Sequence, residues 1–337
     1  VIDQIILEDI ERIRHSLRKK DFEKKRVLVT GGAGFIGSWI CDVLMSFDAE
    51  VACLDNLSTG KMDYIDHLVD KPKFRFFNED VCTFKSDERY DLIFHLASHA
   101  SPEEYQQNPI ETLRTNSLGS QNIAELARRL DATVLFTSTS EVYGDAQVIP
   151  TPETYWGNVN PVGPRSCYFE GKRFAESLFM TYHKQYGLDV KIARIFNSYG
   201  PRLREDGLYG RAVSRFIMQA LANRPITVYG DGKQTRSFCY ATDTVSGLMS
   251  LTACEEACGK VVNIGNSEEI TILELAQRIK KLTGSQSPLT FHPLPEDDPQ
   301  RRCPDISLAK RLLGWEPKVS LKEGLERTVM WFQGRRA

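Results

Sequence analysis

An excess of either charge is missing from this chain of 337 residues: 43 lysines and arginines stand against 45 aspartates and glutamates, a formal net charge of −2. Basic residues interspersed with acids argue against a nucleic-acid surface or a basic membrane-binding face. No apolar run approaches the roughly 20 residues needed to cross a bilayer, and the first residues show no signal-peptide pattern. The expectation is a soluble, cytoplasmic protein. CxxC pairs and histidine clusters are lacking too. Cys41, Cys53, Cys82, Cys167, Cys239, Cys254, Cys258 and Cys303 lie scattered, most of them in apolar runs where cysteine acts as a small hydrophobe. Reduced thiols are expected, and no metal site.

What is present is Val27-Leu28-Val29-Thr30-Gly31-Gly32-Ala33-Gly34-Phe35-Ile36-Gly37, an apolar run passing through Gly31, Gly34 and Gly37 into a helix-compatible segment that ends near Phe47. Glycine accepts a tight strand-to-helix turn and lets backbone approach a ligand. The helix offers unpaired N–H groups and a positive dipole end to a pyrophosphate. A second apolar run, Val51 to Leu54, ends in Asp55, at the spacing of about 20 residues where a dinucleotide site sets a carboxylate against the adenosine ribose. A carboxylate accepts hydrogen bonds from the ribose hydroxyls and repels a 2′-phosphate. Asn56-Leu57-Ser58-Thr59-Gly60 carries no arginine to cradle such a phosphate, Lys61 being the nearby cation. The reading is NAD over NADP; the alternative for the glycines alone is an ordinary βα turn.

Residues 1–25 put Ile6, Ile10, Ile13 and Leu17 on one helical face, to pack on the same domain or on a partner subunit, with 19–25 as a solvated linker. From 26 to about 200, strands are expected at 26–30, 50–55, 73–77, 90–96, 132–137 and 189–196, and helices at 35–47, 109–130 and 168–186. That alternation implies an α/β fold, a doubly wound parallel sheet of Rossmann type. Phe174, Leu178 and Tyr182 predict the core face of the last helix. Beyond 200, short strands near 226–229, 261–264 and 289–292 alternate with helices near 212–223, 242–253, 271–283, 306–313 and 321–334. Asp243, Thr271 and Ser320 read as N-caps, Gly284 and Gly314 as stops. Residues 201–337 are thus expected to form a smaller mixed α/β C-terminal lobe walling one side of a cleft, with loops at 149–164 and 293–304.

Tyr168-Phe169-Glu170-Gly171-Lys172 sets a phenol and an ammonium at i, i+4 on one helix face. A nearby cation favours phenolate and makes a base usable at neutral pH. Thr137-Ser138-Thr139-Ser140-Glu141 ends a strand, and ligands bind at strand C-termini in open α/β sheets. Together with the glycine turn, these residues resemble the extended short-chain dehydrogenases/reductases that act on nucleotide sugars, over residues 24–334. Within that family the shared text is longest with UDP-glucuronate decarboxylases, the UDP-xylose synthases. It includes His95-Leu96-Ala97-Ser98, Thr139-Ser140-Glu141-Val142-Tyr143-Gly144-Asp145, Tyr155-Trp156-Gly157-Asn158-Val159-Asn160-Pro161, Gly163-Pro164-Arg165-Ser166-Cys167-Tyr168, Gln234-Thr235-Arg236 and Asp298-Pro299. Phe169 stands where the family usually has aspartate and His99 where it has proline; the stretch from Arg204 to Gly210 differs in length.

The resemblance implies a domain for NAD over 26–200 and a nucleotide-sugar lobe over 201–337. It implies that Tyr168 takes the proton of the sugar C4 hydroxyl, Thr139 hydrogen-bonds that hydroxyl, and Lys172 binds the nicotinamide ribose. NAD contacts are implied for Gly31, Gly34, Phe35, Ile36 and Gly37, for Asp55, Asn56, Leu57, Ser58, Thr59 and Gly60, and for Asp80, Val81, Leu96, Ala97, Ser98, Thr115, Ser198 and Arg211. Substrate contacts fall to Tyr105, Arg114, Asn197, Arg202, Arg236 and Arg302, since guanidinium forks suit a diphosphate or a carboxylate. Ser140 and Glu141 join the catalytic set, Glu141 and Arg302 positioning the ring and its carboxylate. A homodimer through helices 109–130 and 168–186 is implied as well. The reaction expected is oxidation at C4 of UDP-glucuronate, loss of carbon dioxide from the keto acid, and re-reduction to UDP-xylose. A 4,6-dehydratase places an Asp–Glu pair where Ser140-Glu141 stands, and Ser140 is no acid; a 4-epimerase would leave Glu141 idle. Decarboxylation fits best, 4-epimerisation next and dehydration third, while a non-catalytic NAD-binding sensor would have no need of Thr139, Tyr168 and Lys172.

Overall fold

The computed structural model describes residues 3–204 and 212–335. Among these, seven strands pair in parallel: β1 Arg26–Thr30, β2 Glu50–Leu54, β3 Phe74–Phe77, β4 Leu92–His95, β5 Thr133–Thr139, β6 Val190–Ile195 and β7 Lys260–Ile264. Their order is β7-β6-β5-β4-β1-β2-β3. The strands read as near-continuous apolar runs because both faces are covered. Val27 and Val29 bury into one core, with Trp39 and Val245, while Leu28 buries into the other, with Ile123 and Phe179. Because the chain leaves β1 toward β2 on one side and returns at β4 on the other, the helices diverge there and a crevice opens at the carboxyl ends of the strands.

The first helix, α1 (Gln4–His15), is capped by Asp3 accepting the Ile5 N–H at 2.7 Å. Ile6, Ile10 and Ile13 are buried against α2 (Phe35–Ser46) and α5 (Ala241–Ala253), so the extension packs on its own chain. Asp9 is fully buried on the same helix. Its carboxylate accepts from the Tyr240 hydroxyl at 2.6 Å and pairs with Arg327 at 3.0 Å. Within 19–25 the lysines are exposed as expected, but Phe22 is buried and stacks on Phe47, ring centroids 6.0 Å apart.

Four further expectations are corrected. The strand expected near 261–264 as part of the second lobe is β7 of the main sheet, paired with β6. In α4 (Ser166–Tyr186) the row facing the sheet is Ala175, Phe179 and Tyr182, and Phe174 is 48% exposed; i, i+4, i+8 drifts around a 3.6-residue helix, and Phe174 falls off the core stripe. Asp243 does not cap α5, whose N-cap is Tyr240; its buried carboxylate accepts the Val319 N–H at 2.9 Å instead. The expected helix 109–130 runs as Pro109–Arg114, a wide π-turn Thr115–Gly119, and α3 (Ser120–Leu130). Thr271 and Ser320 do cap their helices, and Gly284 and Gly314 end theirs with positive φ.

Small sheets make up much of the second lobe: Ile226–Tyr229 with Leu289–His292, and Glu269–Thr271, Thr235–Ser237 and Arg301–Arg302 as a three-stranded group. The last group carries Arg236 and Arg302 side by side in register.

Asp9→Ala should cost about 3 kcal/mol of stability, because it strips the Tyr240 hydroxyl and the Arg327 guanidinium of a buried charged partner. Urea unfolding measures this, and an unchanged midpoint would show that α1 is not held by this charge.

Candidate active site

The glycine turn at the end of β1 shows why no larger residue serves. Gly31 has φ +70°, donates its N–H to the Leu54 carbonyl at 2.8 Å, and a Cβ there would lie 2.9 Å from the Ala97 nitrogen. A Cβ at Gly37 would lie 2.1 Å from the Gly31 oxygen. Helix α2 therefore starts hard against β1, with Gly34 at its N-cap, and its first N–H groups have no intrahelical acceptor. At the end of β2, Asp55 accepts the Ala33 N–H at 3.0 Å and the Leu57 N–H at 2.8 Å. Burial raises its carboxyl above the usual range, and the two N–H bonds oppose this. A cradle that any Cβ would fill, a helix N-terminus and a fixed carboxylate fit a dinucleotide.

One cleft of about 390 Å³ runs along the carboxyl ends of the strands. It is lined on the cofactor side by Gly31, Gly34, Phe35, Ile36, Gly37, Asp55, Asn56, Ser58, Thr59, Val81, Leu96, Ala97, Ser98, Thr115 and Ser198. Thr139, Ser140, Glu141, Tyr168, Lys172, Asn197, Arg236 and Arg302 line the same space. Leu57 and Gly60 do not line it; Gly60 packs on the Asp55 carboxylate, where a Cβ would lie 2.7 Å away. Asp80 sits behind the wall, accepting the Cys82 N–H at 2.7 Å and the Asn56 side-chain amide at 3.3 Å. Arg211 lies outside the described residues.

Lys172 is buried one helical turn beyond Tyr168 on α4. Its ammonium donates to the Thr137 carbonyl at 2.8 Å and sits 4.8 Å from the centre of the Phe136 ring. Burial pushes the lysine down to about 7, within reach of losing its proton near neutrality. Tyr168 stacks on Tyr105, centroids 5.0 Å apart and planes 4° from parallel. Tyr105 thus supports the tyrosine from behind and does not line the cleft. Behind Lys172, His95 bridges the Thr30 and Ser120 hydroxyls at 2.8 and 3.1 Å. Burial and the lysine charge hold it down at about 3, so it is neutral. Thr139 caps the turn Ser140–Tyr143 by accepting the Glu141 N–H at 3.2 Å.

At the far end, Glu141 and Arg302 face each other as a bidentate pair, 2.7 Å at both oxygens. The Arg302 Nε is buried with no hydrogen-bond partner among the described residues. Arg165 and Arg236 both donate to Asp298, each at 2.9 Å. Burial alone would raise the Asp298 carboxyl, but the arginines hold it below the usual range. Among the described residues, three guanidiniums stand against two carboxylates at this end, an excess of one positive charge suited to an anion.

The sequence missed Arg165 and Asp298 as site residues, although both stand in the shared text. Two arginines expected on substrate are placed elsewhere. Arg202 pairs with Asp42 of α2 at 2.6 Å and lies over Trp39, because that buried carboxylate needs a cation. Arg114 ends its helix exposed and does not line the cleft. Both departures, His99 and Phe169, are buried, His99 on the cleft wall and Phe169 beside Tyr168.

An α/β sheet of this order with a YxxxK pair lining the cleft at the carboxyl ends of its strands defines a dinucleotide-dependent short-chain dehydrogenase/reductase. The family described as GDP-mannose 4,6 dehydratase matches residues 28–328. UDP-glucuronic acid decarboxylase 1 of Danio rerio is 51% identical over 316 residues, 94% of this chain and 74% of the relative. Among solved structures, a UDP-glucose 4-epimerase from Thermotoga maritima superposes with a TM-score of 0.84 at 32% identity, covering 93% of this chain and 100% of that one. A UDP-glucuronic acid 4-epimerase from Bacillus cereus, in complex with UDP-glucuronic acid and NAD, gives 0.82 at 30% identity, covering 92% and 99%. The chain belongs to the NAD-dependent epimerase/dehydratase family, and within it to the UDP-glucuronic acid decarboxylases.

The lowered Lys172 makes a signed prediction. Between pH 7 and its unfolded value near 10.5 the unfolded chain binds the extra proton, so stability from this group rises with pH. Relative to Lys172→Met, the unliganded protein should gain in melting temperature from pH 7 to 10; a constant difference would show that the lysine stays fully charged when buried.

Proposed function

We propose that this chain is an NAD-dependent UDP-glucuronate decarboxylase that forms UDP-xylose. The observation carrying the reading is the Glu141–Arg302 pair at the cationic end of the cleft that Tyr168 and Lys172 line. Identity of 51% to a UDP-glucuronic acid decarboxylase, against 30% to a UDP-glucuronic acid 4-epimerase, supports it.

When bound, NAD would supply reversible hydride acceptance. The glycine turn, the N-terminus of α2 and Asp55 would hold it. Tyr168 takes the proton of the C4 hydroxyl, and Thr139 orients that hydroxyl. The Lys172 cation favours the phenolate, at the cost of its own burial. The C4 ketone is β to the carboxylate, so the C5–carboxyl electron pair moves toward the ketone as carbon dioxide departs. Arg302 orients the carboxylate, and Glu141 steadies Arg302 and the ring. C5 is then protonated, and Tyr168 returns its proton as C4 is reduced. Ser140 lines the site without being an acid, which leaves a departing C6 hydroxyl no proton donor in that place. A homodimer is part of the proposal, supported by the apolar Ile110, Leu113, Leu118 and Phe174 exposed on the helices concerned.

With NAD, UDP-glucuronate should release carbon dioxide, and Tyr168→Phe should abolish this while binding NAD nearly as before. Arg302→Ala should lower turnover about tenfold to a hundredfold, the worth of a charge-assisted contact of about 1.5–3 kcal/mol. Clean conversion to UDP-galacturonate without gas, read by NMR, would replace decarboxylation with 4-epimerisation.

Asp55 makes NAD the preferred cofactor. In titration calorimetry NAD should bind far more tightly than NADP, and Asp55→Ala should narrow the gap; equal affinities in the unaltered protein would refute the ribose assignment.

A further inference from the structure

The cofactor loop 56–60 is tied down by two side-chain bridges landing on adjacent residues. His99, a departure from the family pattern, joins Ser58 to Thr112: its Nδ1 lies 3.1 Å from the Thr112 hydroxyl and its Nε2 3.3 Å from the Ser58 hydroxyl. The Thr112 proton is already given to the Asn108 carbonyl at 2.7 Å. Thr112 must therefore accept from Nδ1–H, which in the neutral imidazole leaves Nε2 to accept from the Ser58 hydroxyl. Burial holds the imidazole below its ordinary range, consistent with that form; Glu104, Glu111 and Asp80 oppose the shift and Arg204 reinforces it.

The second bridge comes from a different part of the chain. Arg204 extends from the loop after the short strand Ser198–Tyr199, reaching the Thr59 carbonyl at 3.4 Å and the Glu104 carboxylate at 2.6 Å. Glu104 stands on the helix Pro102–Gln107, and both charged side chains are at most one-fifth exposed. Ser58, Thr59, His99, Glu104 and Arg204 all line the cleft that holds Asp55 and the glycine turn. The two bridges therefore fasten the loop that follows Asp55 to other segments of the cleft wall.

We propose that His99 and the Arg204–Glu104 pair form a clasp on loop 56–60 that retains the cofactor between the two halves of the reaction. The inference rests on the decarboxylase reading in its second consequence only. The full cycle consumes UDP-glucuronate and one proton and yields UDP-xylose and carbon dioxide. The hydride removed from C4 returns to C4, so no net oxidant is used. Release of reduced cofactor and the 4-ketone before that return would break the balance within one turnover. The clasp opposes that release, with His99 and Arg204 as positioning residues.

Holoprotein loaded with NADH is mixed rapidly with excess NAD, and the loss of bound NADH fluorescence gives the dissociation rate. Arg204→Met and His99→Ala should each raise the rate at least tenfold, and the double variant further. Glu104→Gln opens the same bridge from its other end with an isosteric side chain, so a poorly folding Arg204→Met leaves the test intact. Rates within twofold of the unaltered protein, in variants with unchanged melting temperature, would overturn the clasp. This arm requires no sugar and holds even if the decarboxylase reading fails. With UDP-glucuronate, the variants should end more turnovers as free NADH and 4-ketone; an unchanged product ratio alongside faster NADH release would remove the link to the reaction cycle.

Discussion

Helix α2 can begin where it does because Gly37 has no Cβ: a side chain there would drive one atom to 2.1 Å from the Gly31 oxygen. That close approach draws the helix N-terminus onto the end of β1, and much of the site is laid out from there. With β1 seated, β2 pairs on one side and delivers Asp55, while β4 pairs on the other and delivers Leu96 to Ser98. One more strand across, β5 ends in Thr139, beside the helix that carries Tyr168 and Lys172. A parallel sheet puts every one of these chain ends on the same edge.

Charge is arranged along that edge in two different ways. At the redox end a single buried ammonium leans on a carbonyl and an aromatic ring, and burial brings it down to about 7. At the other end, among the described residues, three arginines and two carboxylates stand in close pairs. The first arrangement makes a proton easy to move; the second keeps several charges buried by pairing them and still leaves net positive charge for an anionic substrate.

Much of this was legible in the amino-acid order, for physical reasons that differ by element. Strands buried on both faces are continuous apolar runs, so Val27–Val29, Val51–Leu54 and Val134–Phe136 announce themselves. Gly31, Asp55, Tyr168 and Lys172 were legible because their spacing is set within one βαβ unit or one helix. The rest depends on partners distant in sequence. Lys260-Val261-Val262-Asn263-Ile264 is too short to declare which sheet it joins, and β6 decides it. Arg165 and Arg202 are chemically alike, yet one meets Asp298 in the cleft and the other meets Asp42 outside it. Phe174 shares the periodicity of its helix but not the stripe that touches the sheet. His99 could be noticed as unusual, but its bridge between Ser58 and Thr112 exists only once loop and helix are folded together.

The central claim is a redox-neutral decarboxylation completed on one protein, with hydrogen removed from and returned to the same carbon. UDP-glucuronate labelled with deuterium at C4, turned over with NAD and analysed by NMR, tests it directly. The account predicts UDP-xylose that retains deuterium at C4 and, in deuterated water, gains solvent deuterium at C5. Loss of the C4 label, or a product that keeps its carboxylate, would contradict it.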